Sequence, residues 1–235
     1  MFATIAGRRV LVAGEESDTL IIVLHGSKQS GPSMRVFTGR HFEYPGVRTV
    51  YPDGVENHWN DCRATLPEAT RAAETDDVGF LQGLATHFGA RRVFLVGFSN
   101  GGHMVWRVLR DAPGFATAAA VLSAPLATAD NLLPGAGWEP TPVLIMHGDA
   151  DPIVPYSGGR AHTRGTVLSV GETAATVAAW NNAKAPVTVY TMAGAGHVIG
   201  GTRPSLSTLG AHAPDVDAGA IVGQFFAHAA GAQTH

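Results

Sequence analysis

The sequence predicts an α/β fold, with a mostly parallel central sheet, helices on both faces and no large cap domain. Two observations carry this. Short β-rich runs alternate with longer helical patterns along the chain, which is the signature of strands joined by crossover helices. Several of the runs are apolar at consecutive positions, as strands covered on both faces must be. At 235 residues and 24.4 kDa, 45% of them hydrophobic, the chain can bury one sizeable core. A single domain over residues 1–235 is therefore expected, because the Pro/Gly-rich connections are too short to be linkers.

In chain order, the first strands are expected at 8–12, 19–24 (TLIIVL) and 47–51. Thr75 then offers a helix N-cap, with Asp76 and Asp77 in the first turn and Val78, Phe80, Leu81 and Leu84 at helical spacing. A strand at 92–97 (RVFLVG) leads into a helix over 101–111, and a further strand follows at 118–123. Residues 124–141, rich in Pro, Gly and Ala, read as a connection too short for a helical lid. The strand at 142–146 (PVLIM), a helix over 172–181, the strand at 187–192 (VTVYTM) and a helix over 216–229 complete the pattern.

Charge narrows the partners. The 16 Lys and Arg against 19 Asp and Glu leave a formal charge of −3, and no Lys/Arg run is long enough for nucleic acid or an anionic membrane. No stretch approaches the roughly 18 to 20 strongly apolar residues that span a bilayer, and the N-terminus lacks the order of a secretion signal, so a soluble chain is expected. Cys62 has no second cysteine to pair with, which leans towards a reducing, cytoplasmic compartment and leaves secretion open. The oligomeric state is not legible.

The chemistry is concentrated in RVFLVGFSNGGHM, where Gly97-Phe98-Ser99-Asn100-Gly101 fits G-x-S-x-G between an apolar strand and a helical pattern. A nucleophile on so sharp a turn adopts a strained backbone, and flanking glycines supply positions without a Cβ where neighbouring backbone crowds in. The helix that follows points unpaired N–H groups at the reaction centre. Without that context the stretch would be an ordinary Gly/Ser turn.

A serine hydroxyl needs a base and an orienting carboxylate, expected after it in the order Ser, Asp, His. The segment PVLIMHGDADPIVPY offers Asp149 and Asp151 beyond a strand end; Asp151, held by Pro152, is preferred and Asp149 is its rival. His197, in the glycine loop AGAGHVIGG beyond the last strand, is the best placed of the 11 histidines and reads as a mobile general base. His147 is expected to pack or hydrogen-bond at its strand end. For the oxyanion, the amide of Asn100 is one donor and the amide of Ser27, where the strand LIIVL stops at His25-Gly26, is the other.

The separated stretches LHGSKQS, NHWNDCR, DDVGFL, GFSNGGHM, HGDADPIVPY and GAGH, in this order, resemble the α/β-hydrolases grouped as poly(3-hydroxybutyrate) depolymerase-like and feruloyl esterase-like serine esterases. The resemblance implies the α/β-hydrolase fold, a triad of Ser99, Asp151 and His197, and an oxyanion hole at Ser27 and Asn100. It also places the stretches around Trp59 and Asp76-Asp77 near the site, with Trp59 as a pocket wall. Many members carry an aromatic-proline pair after the histidine, roughly G-H-x-W-P-G; this chain has Val198 and Ile199 there, which implies an aliphatic wall instead.

The expected activity is a cofactor-free serine carboxylic-ester hydrolase with an open cleft. Its substrate would be a small or polymeric ester: short-acyl, aromatic-acyl or hydroxyalkanoate. A catalytically silent binding module on the same fold is the competing reading, and a missing triad member would favour it. A metal enzyme finds no support, since no H-E-x-x-H, H-x-H or close His/Asp cluster occurs.

Overall fold

A computed structural model describes residues 1–67, 69–161, 164–201 and 207–232. Its strands are β1 (Phe2–Ile5), β2 (Arg8–Gly14), β3 (Thr19–Leu24), β4 (Arg48–Pro52), β5 (Arg92–Phe98), β6 (Ala118–Leu122), β7 (Val143–Gly148), β8 (Gly159–Arg160), β9 (Thr166–Val167) and β10 (Val187–Met192). The helices are α1 (Gly31–Phe37), α2 (Ala69–Ala72), α3 (Asp77–His87), α4 (Asn100–Asp111), α5 (Val170–Asn181) and α6 (Ala218–Ala232).

Eight strands form one sheet in the order β1-β2-β4-β3-β5-β6-β7-β10. Pairing is antiparallel for β1 with β2 and β2 with β4, and parallel from β4 to β10. All six residues of β3 are buried, as are those of β6 and β7, because a core lies on each face of the sheet. One core is built around Trp59, Leu81, Leu84, Met104 and Trp106, the other around Met34, Phe42, Phe94 and Phe226. This explains the apolar consecutive runs, since both sides of each central strand must exclude water.

The expected strands and helices are found, with shifts of a few residues at their ends. The helix expected behind Thr75 starts one residue later: Asp76 is the N-cap, and its carboxylate accepts from the Gly79 amide at 2.8 Å. Five elements, β1, α1, α2, β8 and β9, were hidden by their brevity. β1 is a four-residue strand held by a hairpin at Ala6-Gly7, both with positive φ. α1 buries only Gly31 and Met34, yet Ser30 and Ser33 cap it reciprocally and Pro32 sits in its first turn. Residues 124–141 contain no helix, and no helical cap covers the sheet among the described residues. No described helix is long and apolar enough to cross a membrane.

Candidate active site

Parallel strands end together, so the turns after β3, β5, β7 and β10 converge on one edge of the sheet. Ser99 sits between β5 and α4 with φ 55° and ψ −117°, a left-handed conformation that costs on the order of 1 to 3 kcal/mol and persists only where surroundings impose it. The flanking glycines show what imposes it. A Cβ on Gly97 would run into the carbonyl of Gly101 and the side chain of Val105, and one on Gly101 into the carbonyls of Leu24 and His25. Ser99 occupies the N-cap position of α4, but its hydroxyl makes no capping bond. Instead Oγ lies 2.9 Å from Nε2 of His197, and Ser99 remains partly exposed.

The other face of the same imidazole is 2.7 Å from Oδ2 of Asp151. A carboxylate only accepts, so Nδ1 carries the proton and Nε2 is left bare to accept from the Ser99 hydroxyl. Oδ1 of Asp151 accepts from the amides of Ile153 and Val154 at 2.8 and 2.9 Å. Burial alone would push this carboxyl up; the bonds from His147 and His197, the His197 charge and the Val154 amide outweigh it and hold the group well below the usual carboxylate range. Asp149, the rival, is exposed and turned elsewhere, accepting from the Gly194 amide at 2.6 Å.

His197 is not on a loose loop, contrary to its glycine-rich sequence. Its own amide and that of Gly196 bond to the carbonyls of Leu209 and Ala211, its ring packs 5.0 Å from that of Phe98, and it is 4% exposed. The glycines there permit close backbone approach, as a Cβ on Gly196 would strike Leu209 and Gly210.

Asn100 opens α4, where the first N–H groups have no intrahelical acceptor. The amides of Asn100 and Ser27 have no partner among the described residues. What sequence reasoning missed is how the Asn100 backbone is held. Its side-chain carbonyl accepts from the Trp59 amide at 2.8 Å, and its NH2 group donates to the Trp59 carbonyl at 3.1 Å and to Oδ2 of Asp61 at 2.6 Å. Asp61 is fully buried and paired in a two-point fork with Arg63, at 3.1 and 2.5 Å. Burial pushes the Asp61 carboxyl up, but the charge and hydrogen bonds of Arg63 prevail and lower it.

Trp59, Val198 and Ile199 require a correction. They are 0%, 1% and 1% exposed, so none offers a wall to an incoming molecule. The Trp59 indole is turned into the core, where its N–H donates to the His25 carbonyl at 3.0 Å and its ring leans on that of His25, 4.9 Å away. A large aromatic beside a nucleophile motif gives no sign of which way it faces until the sheet is assembled. Cys62 is likewise packed, its thiol pushed up to about 12 by burial, which argues against a nucleophilic role. A cavity of about 360 Å³, lined by Thr19, Ile21, Phe94 and Phe226 among others, opens where β3 and β5 begin, at the opposite edge from Ser99.

Comparison with known proteins agrees with this architecture. The Bacillus cereus carboxylesterase superposes with a TM-score of 0.63 at 14% identity, over 94% of this chain and 95% of that one. A carboxylesterase from Mesorhizobium loti superposes with a TM-score of 0.62 at 23% identity, over 94% and 93%. The chain has the α/β-hydrolase fold. In sequence it is 30% identical over 182 residues to "Putative esterase NocK" of Nocardia uniformis subsp. tsuyamanensis, a match covering 66% of this chain and 51% of the other. It thus spans about half the length of the curated relative it matches. No family model matches.

Proposed function

We propose that this chain is a serine carboxylic-ester hydrolase working through an acyl-enzyme. The observation that carries the reading is the unbroken hydrogen-bonded chain from Ser99 Oγ to His197 Nε2, at 2.9 Å, and from His197 Nδ1 to Asp151 Oδ2, at 2.7 Å. His197 takes the hydroxyl proton as Ser99 attacks the ester carbonyl; ionised Asp151 orients the ring and stabilises the imidazolium that forms. The amides of Asn100 and Ser27 receive the oxyanion, where each donor is worth about 10² to 10³ in rate. His197 then protonates the departing alcohol, and the same steps run with water in place of the alcohol release the acid.

The esters proposed are short-acyl, aromatic-acyl or hydroxyalkanoate-type, taken in an open cleft. Support for the cleft is the partial exposure of Ser99 and the lack of a helical cap over the described residues. The chemistry asks for neither cofactor nor metal.

The test is initial rates on 4-nitrophenyl acetate, butyrate and octanoate, methyl ferulate and a hydroxybutyrate oligomer, each against the Ser99→Ala protein. The variant is expected to lose about 10⁴ or more in turnover. Near wild-type turnover by Ser99→Ala would remove the assignment, and the ranking of substrates reads the acyl preference.

A further inference from the structure

Asp151 accepts from a second histidine, one that the proposed reaction does not use. His147, in β7 and fully buried, has Nε2 at 2.9 Å from the Val154 carbonyl and 3.1 Å from Oδ2 of Asp151. Both facing oxygens are acceptors, so Nε2 carries the proton and shares it between them. Nδ1 is buried without a partner among the described residues, as that tautomer leaves it. Oδ2 of Asp151 therefore serves two imidazoles at once, His197 at 2.7 Å and His147 at 3.1 Å.

We propose that His147 is a positioning residue that pins Oδ2 of Asp151 and, by drawing on its charge, sets how strongly His197 holds a proton. The proposal rests on the reading of Ser99, His197 and Asp151 as a triad. An oxygen that already accepts one bond has less charge to offer a second donor, so His147 weakens the stabilisation of the His197 imidazolium. Without His147, Oδ2 would be a stronger partner, and His197 would keep its proton to higher pH.

The neighbours leave this role to His147. From the turn after β7 come Asp151 itself and Tyr156, whose ring stands edge-on to His147 at 5.8 Å and whose hydroxyl is 2.7 Å from Thr191 Oγ1 on β10. From the elbow comes Ser99, bonded to Nε2 of His197. From α4 comes His103, buried, with no hydrogen-bond partner for its ring among the described residues, and within electrostatic reach of His197. Among the described residues, the only side chains bonded to Oδ2 of Asp151 are His197 and His147.

The experiment is a long-range ¹H–¹⁵N titration of the His197 ring in the wild-type protein and in His147→Leu, His147→Asn and His147→Gln, with His197→Gln supplying the assignment. Leucine cannot donate, and asparagine is too short to reach Oδ2; glutamine places an amide N–H near the Nε2 position. The His197 midpoint is expected to rise by about half to one pH unit in the leucine and asparagine variants, a three- to tenfold gain in proton affinity, and to return towards wild type in the glutamine variant. If leucine disrupts folding, asparagine carries the same expectation.

A wild-type midpoint in whichever of these two variants folds would overturn the proposal, as would a glutamine variant shifted as far as the others. Labelling of Ser99 by a serine-directed phosphonate is read alongside. An unlabelled wild-type Ser99 would count against the esterase reading, while the ring titration, which needs no turnover, would still report on His147.

Discussion

Acid should loosen this protein at His25, behind the turn that carries Ser27. His25 is fully buried, its Nδ1 lies 2.8 Å from the Gly26 carbonyl, and its Nε2 accepts from the Gly54 amide at 2.9 Å. A proton arriving on Nε2 would displace the Gly54 bond and leave a charge in the core. Burial accordingly pushes the imidazole down from 6.5 to about 4, more than the Gly26 bond and the charge of Asp53 can restore. The folded value lies below the unfolded one, so between those limits the unfolded chain binds more protons. The stability His25 contributes is complete above pH 6.5 and is lost progressively as the pH falls to about 4.

At about 1.4 kcal/mol per unit, the shift amounts to about 3 kcal/mol in full, of which about 2 kcal/mol is gone at pH 5. Urea unfolding of the wild type and of His25→Gln at pH 7.5 and 5.0 isolates the effect. Glutamine can accept from Gly54 but does not titrate, and contributions from other buried groups such as His103 are common to both proteins. The wild type should lose about 2 kcal/mol more than the variant on acidification. Equal losses would refute the argument that the buried ring is the titrating group.

Three further outcomes follow from the elbow and the acid. Gly101→Ala should destabilise the fold by on the order of 2 to 4 kcal/mol in urea unfolding, because the added Cβ meets the backbone oxygens of Leu24 and His25 and neither strand end nor helix can retreat alone. Asp151→Asn should lower kcat on 4-nitrophenyl acetate by about 10⁴. Asp149→Asn should stay within about tenfold of wild type, since Asp149 holds a turn through Gly194.

The sequence by itself determined the fold class, the order of the main strands and helices, and three residues to bring together. It could do so because those signals are local: apolar runs dictate strands, helical spacing dictates helices, and G-x-S-x-G between them marks a sharp turn. Chain order then allowed Ser99, an aspartate and His197 to be set at successive strand ends. Short elements escaped because β1 and α1 bury too little to stand out against their neighbours.

Only the tertiary structure decided between Asp149 and Asp151 as the partner of His197, because both lie in one turn and differ only in which way the chain points them. It likewise turned Trp59, Val198 and Ile199 into the core and pinned the glycine loop of His197 against residues 209–211. The Asp61–Arg63 fork under Asn100 and the bond from His147 to Asp151 were illegible for the same reason. Each depends on side-chain direction and on partners from other elements, and these exist only once the sheet has brought its strand ends to a common edge.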